Sequence, residues 1–525
     1  MRTLIVNPTV RYYDHPRHVP IGELQLLAIL RRDHPNIEFR FYDANAHRVD
    51  DFWHNRFDGL HKVLQEDEFD VIAIGGLITA YNYIKKALRK ARAMQPDAKI
   101  VVGGGFFSAI PSDIMNFVPE IDYGIVGEAY RTFPELLKAI SAGEEPSHVQ
   151  GLIYRGYGEG RLHFTSPREL IPDMDWLPYP AYDLAPLDIY FQHSGILMSD
   201  EAMRAKKRLD ACMSLSCPFL CGFCWDLGIT SVRSYENFNG RMQPEQGRPG
   251  RKSVVRQHSP RYIAKYLKWM RKTFTKIEPK GVRVDFVAWV DENIVAHDAQ
   301  TGFTWLKEIE DELWKRKLIP ECVQKGEKHD NSKHDCLHHG GTSHAGLCKK
   351  ETMETMRNIG FTYLDYGLEH FDANILKSLG KGATPEANKE AIRITKEAGI
   401  NPIPNQIIMF PQENWKTIRT MLDAWEETGI VSMPFLATAY PGSQWYAQHY
   451  STIMTQYSND LEAFIEDLED ATKVTALLAD NFSPAEAVGT QQIMAQATKT
   501  GDFKNARRLL MVTQAHQIFR WLKAQ

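Results

Sequence analysis

The sequence predicts an α/β protein with two parallel sheets and a helical C-terminal part. Short apolar, β-branched segments alternate with amphipathic helical segments over residues 1–145, and the alternation resumes over residues 206–445. Buried strands separated by helices are typical of parallel sheets that are covered on both faces. Because a chain of 525 residues is too long for one compact core, we expect several domains.

Residues 1–145 predict a doubly wound, Rossmann-like domain. We expect its strands at 3–8, 37–45, 69–77, 99–105 and 122–128, and its helices at 21–32, 83–94 and 132–140. Folds of this class bind ligands at the carboxyl ends of their strands. Two of these ends are rich in glycine, which lets the backbone approach a large flat or phosphate-bearing ligand: Gly75, Gly76, Gly103, Gly104 and Gly105. Tight turns alone are the alternative explanation.

Residues 206–445 predict a partial TIM-type barrel of six βα units, preceded by a turn-rich linker at 146–205. We expect its strands at 209–217, 282–293, about 316–323, 361–370, 401–410 and 431–442. The helices are expected at 261–274, 303–316, 350–358, 385–398 and 414–428. The arginine-rich segment 240–260 is expected to be a solvated connector. Residues 446–525 predict a helical C-terminal domain.

The composition excludes several classes of partner. A net charge of −4, with no block of like charge, indicates neither nucleic acid nor an anionic membrane as main partner. The longest apolar runs have the length of strands, so no membrane span is expected. The start "MRTLIVNPTV" lacks the layout of a signal peptide, and unevenly clustered cysteines are typical of a reducing compartment. We therefore expect a cytoplasmic protein.

Four of the seven cysteines lie in the stretch "ACMSLSCPFLCGFCWDLG", residues 211–228. Cys217, Cys221 and Cys224 are spaced C-x3-C-x2-C, and three thiolates leave one iron of a four-iron cluster open for a substrate. Structural zinc usually needs a second ligand pair, and an electron-transfer cluster usually needs four cysteines, so both are weaker alternatives. In a strand, Cys212 would point away from Cys217, so we expect Cys212 to be a buried structural thiol.

"CPFLCGFC" resembles the radical S-adenosylmethionine motif, and it also follows the first strand of the predicted barrel. The resemblance implies that Cys217, Cys221 and Cys224 bind a [4Fe-4S] cluster. S-adenosylmethionine would then chelate the open iron, and Phe223 and Trp225 would flank its adenine.

Two further segments resemble motifs of the same superfamily. "GLEH" resembles the motif of the fourth barrel strand, which implies that Glu369 meets the ribose or the amino group of S-adenosylmethionine. "AWVDENIV" resembles the second-strand motif, which implies that Asp291 and Glu292 face the site. A solvated strand end is the alternative for each of these residues, as it is for the aromatic contact.

Three segments before the cysteines resemble the cobalamin-binding subgroup of this superfamily: "IVVGGGFFSAIPSDIM", "YGIVGEAYRTFPELL" and "IPDMDWLPYPAYDL". The resemblance covers about residues 1–445 and implies a cobalamin between the two domains, near the glycines and Glu128. No D-x-H-x-x-G signature is found; "YYDHPRH" and "DANAH" have other spacings, so no histidine ligand to cobalt is expected. "GGLITAYNY" (75–83), with Thr79, is the predicted loop below the cobalt.

The resemblance implies radical methyl transfer from methylcobalamin to an unactivated carbon, or to phosphorus, of a small molecule. One S-adenosylmethionine would remethylate the cobalamin, and a second would give the 5′-deoxyadenosyl radical that abstracts hydrogen from the substrate. An external electron donor such as flavodoxin or ferredoxin is implied. The alternatives are an oxidative cyclase or ring-rearranging enzyme with the same cofactors, and a sensor or electron carrier.

A Cys/His-rich insert, 322–348, carries five histidines and the other three cysteines. We expect it to follow the third barrel strand, on the carboxyl side where barrel active sites are built. Three interpretations remain open: a substrate-binding loop, a polar surface loop, and a metal or auxiliary cluster site. The spacing of the candidate ligands matches no common site: Cys322, Cys336, His344 and Cys348.

Overall fold

The computed structural model describes residues 1–9, 16–51, 58–156, 161–225, 233–246, 255–326, 336–474 and 478–524. Within them the strands are β1 Arg2–Asn7, β2 Glu38–Asp43, β3 Val71–Gly75, β4 Lys99–Gly103, β5 Tyr123–Ile125, β6 Leu152–Arg155, β7 Leu162–Phe164, β8 Arg208–Ala211, β9 Ser214–Leu215, β10 Tyr235–Phe238, β11 Arg241–Pro244, β12 Arg256–Gln257, β13 Phe286–Trp289, β14 His338–Ser343, β15 Phe361–Glu369, β16 Asn401–Ile408 and β17 Phe435–Leu436.

The α-helices of the described residues fall into three groups along the chain. Those up to residue 203 are Ile21–Asp33, Ala44–Asp51, Asp58–Glu66, Tyr81–Met94, Gly105–Ser108, Pro111–Phe117, Ala129–Ala142, Leu187–Gln192 and Asp200–Met203. The next are Pro260–Thr273, Ile294–Gln300, Trp305–Lys315, Glu321–Lys325, Lys350–Ile359, Ala373–Ser378, Pro385–Glu397 and Trp415–Thr428. The last are Gln444–Gln456, Leu461–Asp467, Ala471–Val474, Pro484–Thr500 and Phe503–Ala524.

The first sheet has the strand order β2-β1-β3-β4-β5-β6-β7, and its first five strands are parallel. Successive strand residues belong to different cores: Leu4 and Val6 pack into one, and Ile5 packs into the other. Both faces of the sheet are therefore covered, which explains the nearly continuous apolar strands. The five predicted strands of the Rossmann-like domain are confirmed.

The first sheet continues past residue 145, into the segment predicted as a linker. β6 pairs antiparallel with β5, and β7 pairs antiparallel with β6. The sequence between β6 and β7 is "GYGEGR", the kind of turn-rich stretch that joins antiparallel strands, and its residues 157–160 lie outside the described part. The turn residues that indicated a linker thus belong to an extension of the sheet that ends at Phe164.

The second sheet has the strand order β17-β16-β15-β14-β13-β8, and all its pairings are parallel. Its six strands, with helices between them, form the predicted partial barrel. Five of the six were predicted at the observed places, because apolar or β-branched residues mark them in the sequence.

The third barrel strand was predicted wrongly. Residues 316–323 do not form a strand; they follow the helix Trp305–Lys315 and enter the short helix Glu321–Lys325. The third strand is β14, which lies inside the Cys/His-rich insert. The insert is therefore not a loop on the carboxyl side of that strand, because its second half is the strand itself.

β14 was not predicted, because its sequence, "HHGGTS", has no apolar or β-branched run. Its glycines are required by packing. A Cβ on Gly340 would lie 2.1 Å from the ring of Tyr363, and a Cβ on Gly341 would lie 2.5 Å from Ile294 Cδ1. Large side chains of neighbouring elements thus fill the space beside this strand. The apolar packing around β14 comes from those neighbours and not from its own residues.

The C-terminal helices contact both sheets' domains. Lys85 of the first domain lies 2.6 Å from Glu462 and 2.8 Å from Glu466. On the barrel side, Trp415 Nε1 donates to Gln517 Oε1 at 2.6 Å. Among the described helices, none is both long and apolar enough to cross a membrane.

Candidate active site

The cysteine motif follows a turn and not a continuous strand. β8 ends at Ala211, and the two residues of β9 pair antiparallel with β12. Ser216, just before the first cysteine of the motif, has a φ of +79°, in the left-handed region. The strand predicted at 209–217 is therefore wrong beyond Ala211, and alternation of strand faces cannot be what separates Cys212 from Cys217.

Cys212 is held by the turn itself. Its Sγ donates to the carbonyl oxygen of Ser214 at 2.7 Å, and burial raises the pKa of its thiol well above its ordinary value. Cys212 lines a small cavity together with Tyr130 of the first domain. Cys221, in contrast, interacts electrostatically with Lys381, Glu369 and Cys217. The structural role of Cys212 stays a prediction.

Asp291, just after β13, stabilises the turn between β8 and the cysteine motif through two hydrogen bonds. Its Oδ2 accepts from the backbone N–H of Met213 at 3.1 Å, and its Oδ1 accepts from the hydroxyl of Ser214. Asp291 is buried, and burial raises its pKa to about 7. Glu292 beside it interacts electrostatically with Cys212. The structure thus gives Asp291 protein partners, and its predicted contact with a cofactor stays a prediction.

The three motif cysteines lie in a partly open setting. Cys217 and Cys224 are half-buried, Cys221 is buried, and no cysteine of the chain is in a disulfide. Burial raises the pKa of Cys221 to about 11; Lys381 opposes the rise, and Glu369 and Cys217 add to it. Within the described part of the chain, the three motif sulfurs do not form a group whose atoms all lie within 4.8 Å of one another.

Backbone hydrogen bonds and aromatic contacts hold the cysteine loop against the barrel. Gly222 N donates to the carbonyl oxygen of Leu379 at 2.9 Å, and the carbonyl oxygen of Gly222 accepts from Trp445 N at 3.0 Å. The rings of Phe223 and Trp445 are 5.7 Å apart. Trp225 is half-buried and is the last described residue of the loop. The loop is thus fixed to the segments after β15 and β17.

Glu369 ends β15 in a strained conformation and forms a buried ion pair. Its φ is +58°, and its Oε1 lies 2.5 Å from Lys381 Nζ. A Cβ on Gly367 would lie 2.4 Å from that Nζ and 2.6 Å from that Oε1, so the ion pair needs a glycine there. Both charges also act on the Cys221 thiol. The structure thus brings Glu369 to the cysteine loop, and its predicted contact with S-adenosylmethionine stays a prediction.

The neighbouring end of β16 is fixed by a second buried pair. His370 Nε2 lies 2.8 Å from Glu413 Oε1, and the other carboxylate oxygen accepts from Met409 N at 2.5 Å. Met409 has a φ of +69°. Left-handed backbone at non-glycine residues costs on the order of 1–3 kcal/mol and clusters at functional sites. Sequence analysis missed Lys381 and Glu413, because their partners lie 12 and 43 residues away.

The glycines of the first sheet line a mainly apolar cavity of about 230 Å³. Gly75 and Gly76 come from the end of β3, and Gly103 and Gly104 follow at the end of β4. Gly104 has a φ of +80°, and a Cβ on it would lie 2.7 Å from Gly76 N, so this approach of two loops needs glycine. At Gly75 and Gly103 the nearest atoms to an added Cβ are 3.6 Å away, so a Cβ there would make only ordinary van der Waals contacts.

Two predicted residues of the first domain lie beside the cavity and do not line it. Gly105 is buried at the start of the helix Gly105–Ser108. Thr79 is half-buried in a short 3₁₀ helix, Ile78–Ala80, that follows β3. Their predicted contacts with a cofactor stay predictions.

The cavity also reaches the barrel. Leu215 and Arg256, from β9 and β12, are part of its lining. Arg256 Nη1 lies 2.6 Å from Glu128 Oε2, and Glu128 Oε1 accepts from Ile171 N at 2.9 Å. Arg256 is buried, so the expectation of a solvated connector is wrong at this residue; residues 247–254 lie outside the described part. Glu128 is thus placed at the junction of the two domains.

Glu23, which sequence analysis missed, is a carboxyl group at this cavity. It lines the wall near Gly75, 3.6 Å from where a Cβ on that glycine would be. Burial raises its pKa to about 7, and the nearby Asp43 adds to the rise. A glutamate in the first turn of the helix Ile21–Asp33 looks like an ordinary helix residue in the sequence.

The loop after β1 contacts the first barrel strand. Val19 N donates to Asp210 Oδ2 at 2.7 Å, His18 Nδ1 lies 3.4 Å from the same oxygen, and the Arg17 carbonyl oxygen accepts from Arg208. Of "YYDHPRH", residues 12–15 lie outside the described residues. The loop after β1 is therefore one of the contacts between the first domain and the barrel.

The four candidate ligands of the insert are not together. Cys348 Sγ donates to the Tyr366 hydroxyl at 3.3 Å. The His344 ring stacks on Phe219 of the cysteine loop with ring centres 4.0 Å apart, and its Nε2 lies 3.0 Å from the carbonyl oxygen of Lys381. A single site built from Cys322, Cys336, His344 and Cys348 is therefore excluded. Instead, the end of the insert supports the cysteine loop.

Two protein families match the chain. The B12 binding domain matches residues 12–137, and the radical SAM superfamily matches residues 302–424. The uncharacterized methyltransferase PH0819 of Pyrococcus horikoshii is 23% identical over 432 residues, 81% of this chain and 77% of that protein. The anaerobic magnesium-protoporphyrin IX monomethyl ester cyclase of Synechocystis is 21% identical over 343 residues, 65% of this chain and 56% of that protein.

Solved structures share the fold. The radical S-adenosylmethionine methyltransferase TsrM of Kitasatospora setae matches with a TM-score of 0.62 and 16% identity, over 86% of this chain and 76% of that chain. The cobalamin-dependent S-adenosylmethionine radical enzyme OxsB matches with a TM-score of 0.59 and 16% identity, over 91% of this chain and 57% of that chain. The chain thus carries a match to the B12 binding domain, followed by a match to the radical SAM superfamily.

Proposed function

We propose that the protein is a methyltransferase that methylates an unactivated carbon, or a phosphorus, of a small-molecule substrate. The observation that carries the proposal is the shared wall of the glycine cavity. Leu215 lines that cavity and lies two residues before Cys217, the first cysteine of the motif. A cobalamin at the glycines and a cluster at the cysteines would therefore face one another across a single turn. The methyltransferase name of the Pyrococcus relative supports the same reaction.

Cys217, Cys221 and Cys224 are the proposed cluster ligands, with Cys212 excluded. The motif lies after the first barrel strand, on the carboxyl side of the sheet. The half-buried state of Cys217 and Cys224 leaves this side accessible to a second ligand of the cluster. When bound, the cluster with S-adenosylmethionine supplies the radical, and cobalamin supplies the methyl group.

Glu369 is proposed to accept hydrogen bonds from the ribose or the amino group of S-adenosylmethionine. Lys381 holds this carboxylate in one place and compensates its burial. Phe223 and Trp225 are proposed to flank the adenine, and Glu292 to face the same space. Asp291 is proposed to act mainly by fixing the turn before the cysteines, since both of its oxygens accept hydrogen bonds from that turn.

The cobalamin is proposed to lie with part of its structure in the glycine cavity. The cavity is smaller than the 300–1,000 Å³ typical of a site that encloses a whole ligand, so most of the cofactor would lie between the domains. Gly75, Gly76, Gly103 and Gly104 would offer backbone to it, with Gly105 supporting their turn. Glu128 and Arg256 would close the cavity towards the barrel, and Thr79 would lie on the lower loop, without a histidine on the cobalt.

The second candidate function is an oxidative cyclase or ring-rearranging enzyme. The match to the Synechocystis cyclase, over 65% of this chain, favours it specifically. Both functions use the same residues to hold the cofactors, so they differ only in the fate of the substrate. A sensor or electron carrier is less well supported, because it needs neither an open cluster nor the substrate space between the domains.

Product analysis separates these functions. Reconstituted enzyme is incubated with S-adenosylmethionine, candidate substrates and an external electron donor, for which we propose flavodoxin or ferredoxin. Methyl transfer predicts that S-adenosylhomocysteine and 5′-deoxyadenosine both form. Deoxyadenosine alone, with an oxidised or cyclised substrate, would establish the second candidate and contradict the first. Neither product, with the cluster intact, would favour the sensor.

A further inference from the structure

We propose that Cys322, Cys336 and His338 bind a zinc ion that stabilises the amino end of the third barrel strand, β14. Cys322 lies in the short helix Glu321–Lys325, Cys336 lies just before β14, and His338 is its first residue. The proposal does not depend on the reaction that the enzyme catalyses. It concerns the end of β14 that is remote from the cysteine motif.

The distances among the three side chains suit one tetrahedral ion. Cys322 Sγ lies 3.4 Å from Cys336 Sγ and 3.6 Å from His338 Nε2, and all three ligand atoms lie within 4.8 Å of one another. Zinc bound at about 2.3 Å from sulfur and about 2.05 Å from nitrogen places two sulfurs about 3.8 Å apart, and a sulfur and a nitrogen about 3.6 Å apart. The distance between the two sulfurs is a few tenths of an ångström shorter than the value for bound zinc, and the distance from Cys322 Sγ to His338 Nε2 already agrees with its value. A disulfide needs a far shorter approach of about 2.05 Å.

The charges at this position also suit a zinc ion. All three side chains are only 2% exposed. Two thiolates and a neutral imidazole give a dication a net charge of zero, which avoids the cost of burying an unpaired charge. Arg271 Nη1 donates to the Cys336 carbonyl oxygen at 3.2 Å and fixes that backbone.

A zinc ion here would stabilise a strand that has few means of its own. "HHGGTS" offers no large apolar side chain to either core, so β14 is held by its neighbours and by its ends. Its far end lies five residues, or about 17 Å, from His338. There His344 stacks on Phe219 of the cysteine loop. The ion would therefore hold one end of a strand whose other end supports the cluster.

Metal analysis of the full-length protein tests the proposal. We expect one zinc per chain in addition to the cluster iron, with two sulfur ligands and at least one nitrogen ligand by zinc-edge X-ray absorption. Replacing zinc by Co²⁺ should give a thiolate-to-cobalt charge-transfer band. The double variant Cys322→Ser, Cys336→Ser should lose the zinc and keep its iron. His338→Gln should weaken the zinc affinity at least about tenfold.

Two matched variants show which cysteines are responsible. Cys348→Ser, in the same insert, should keep the zinc because Cys348 bonds to Tyr366 and lies outside the set. The triple variant Cys217→Ala, Cys221→Ala, Cys224→Ala should lose its iron and keep its zinc.

Three results would overturn the proposal. One is wild-type protein that takes up no zinc or Co²⁺ with sulfur ligands when supplied with one equivalent. Another is a double variant that retains the metal, and a third is conversion of Cys322 and Cys336 to a disulfide in place of metal binding. The wild-type measurement decides the question even if the double variant does not fold. The outcome of this metal measurement is also independent of the proposed function. Methyl transfer can fail in a protein that binds zinc, and zinc can be absent from a protein that transfers methyl groups.

Discussion

The carboxyl edges of the parallel strands in the two sheets are built in opposite ways. The glycine edge, formed by Gly75, Gly76, Gly103 and Gly104, removes side chains so that backbone faces an apolar cavity. The barrel edge, formed by the motif cysteines with Glu369, Lys381 and the pair His370–Glu413, relies on buried charges and on strained backbone. One edge is thus suited to a large, flat ligand, and the other to a small, charged ligand in a fixed orientation.

The difference leads to different expectations for substitutions. At the barrel edge, loss of a ligand or of a charge should matter most, because a buried partner remains unpaired. At the glycine edge, added volume should matter most, because the backbones of two loops are in contact. The substitutions below address this comparison in the order of the expected effect.

The largest effect is expected at the barrel edge from Cys221→Ala. Removing one of three ligands should abolish the cluster, and with it all S-adenosylmethionine cleavage. Iron content and the visible absorption of the reconstituted protein measure this directly. Cys212→Ala is the matched control, since it removes a neighbouring thiol that bonds only to the turn; loss of the cluster in this control would show that four cysteines hold it.

The next effect is expected from Lys381→Met. It leaves the buried carboxylate of Glu369 without its cation, which should cost about 3–5 kcal/mol in the free energy of unfolding. Affinity for S-adenosylmethionine should fall as well, because the carboxylate is no longer held in place. Chemical denaturation and equilibrium binding measure the two effects.

Lys389→Met is the control for Lys381. It breaks an exposed ion pair with Glu427 and should cost less than about 1 kcal/mol. Equal costs for the two variants would mean that burial does not distinguish the barrel edge from the surface.

A smaller effect is expected at the glycine edge from Gly104→Ala. The added Cβ would lie 2.7 Å from Gly76 N, so the two loops must separate. We expect cobalamin affinity to fall at least about tenfold, or about 1.4 kcal/mol, as measured by the cobalamin retained at equilibrium. Gly143→Ala has a similar positive φ but nothing within 4 Å of its Cβ, so it should cost stability alone, about 1–2 kcal/mol. Unchanged cobalamin binding in Gly104→Ala would contradict the role of the glycine edge.

The smallest effect concerns Glu23, the carboxyl group at the glycine edge. Burial raises its pKa to about 7, above the ordinary value of about 4.5. A group with a raised folded-state pKa contributes stability at low pH and loses it as the pH rises through that pKa. We therefore expect the melting temperature to fall between about pH 5 and pH 8, and to fall less in Glu23→Gln.

Asp291, whose pKa is also raised to about 7, contributes with the same sign, so part of the slope should remain in Glu23→Gln. Glu427→Gln, on the exposed surface, is the control and should leave the slope unchanged. A Glu23→Gln protein with the full wild-type slope would show that this carboxyl is not protonated in the folded protein at low pH.

Sequence analysis predicted what local pattern determines. Five barrel strands and the five parallel strands of the first sheet carry apolar runs, and the approach of two loops requires a glycine at Gly104. The resemblance of "CPFLCGFC" and "GLEH" to known motifs predicted Glu369 near the cysteine loop, and the structure brings them together.

The parts of the fold and of the site that sequence analysis missed depend on contacts between residues that are distant in sequence. Lys381 forms an ion pair with Glu369 across a turn, and Arg256 forms one with Glu128 across the domain boundary. No local sequence pattern marks either ion pair. β14 is specified by the large side chains beside it, Tyr363 among them, and not by its own residues. Strand alternation, on which the prediction for Cys212 depended, does not apply, because β8 ends at Ala211 and a turn follows; the structural role of Cys212 stays a prediction.

The central claim is that three cysteines, without Cys212, hold a cluster with a position open to S-adenosylmethionine. The most direct test is the electron paramagnetic resonance spectrum of the reduced protein, recorded with and without S-adenosylmethionine. We predict a cluster signal that changes when S-adenosylmethionine is added, in the wild type and in Cys212→Ala alike. A wild-type signal that does not respond, or a Cys212→Ala protein without a cluster signal, would contradict the account.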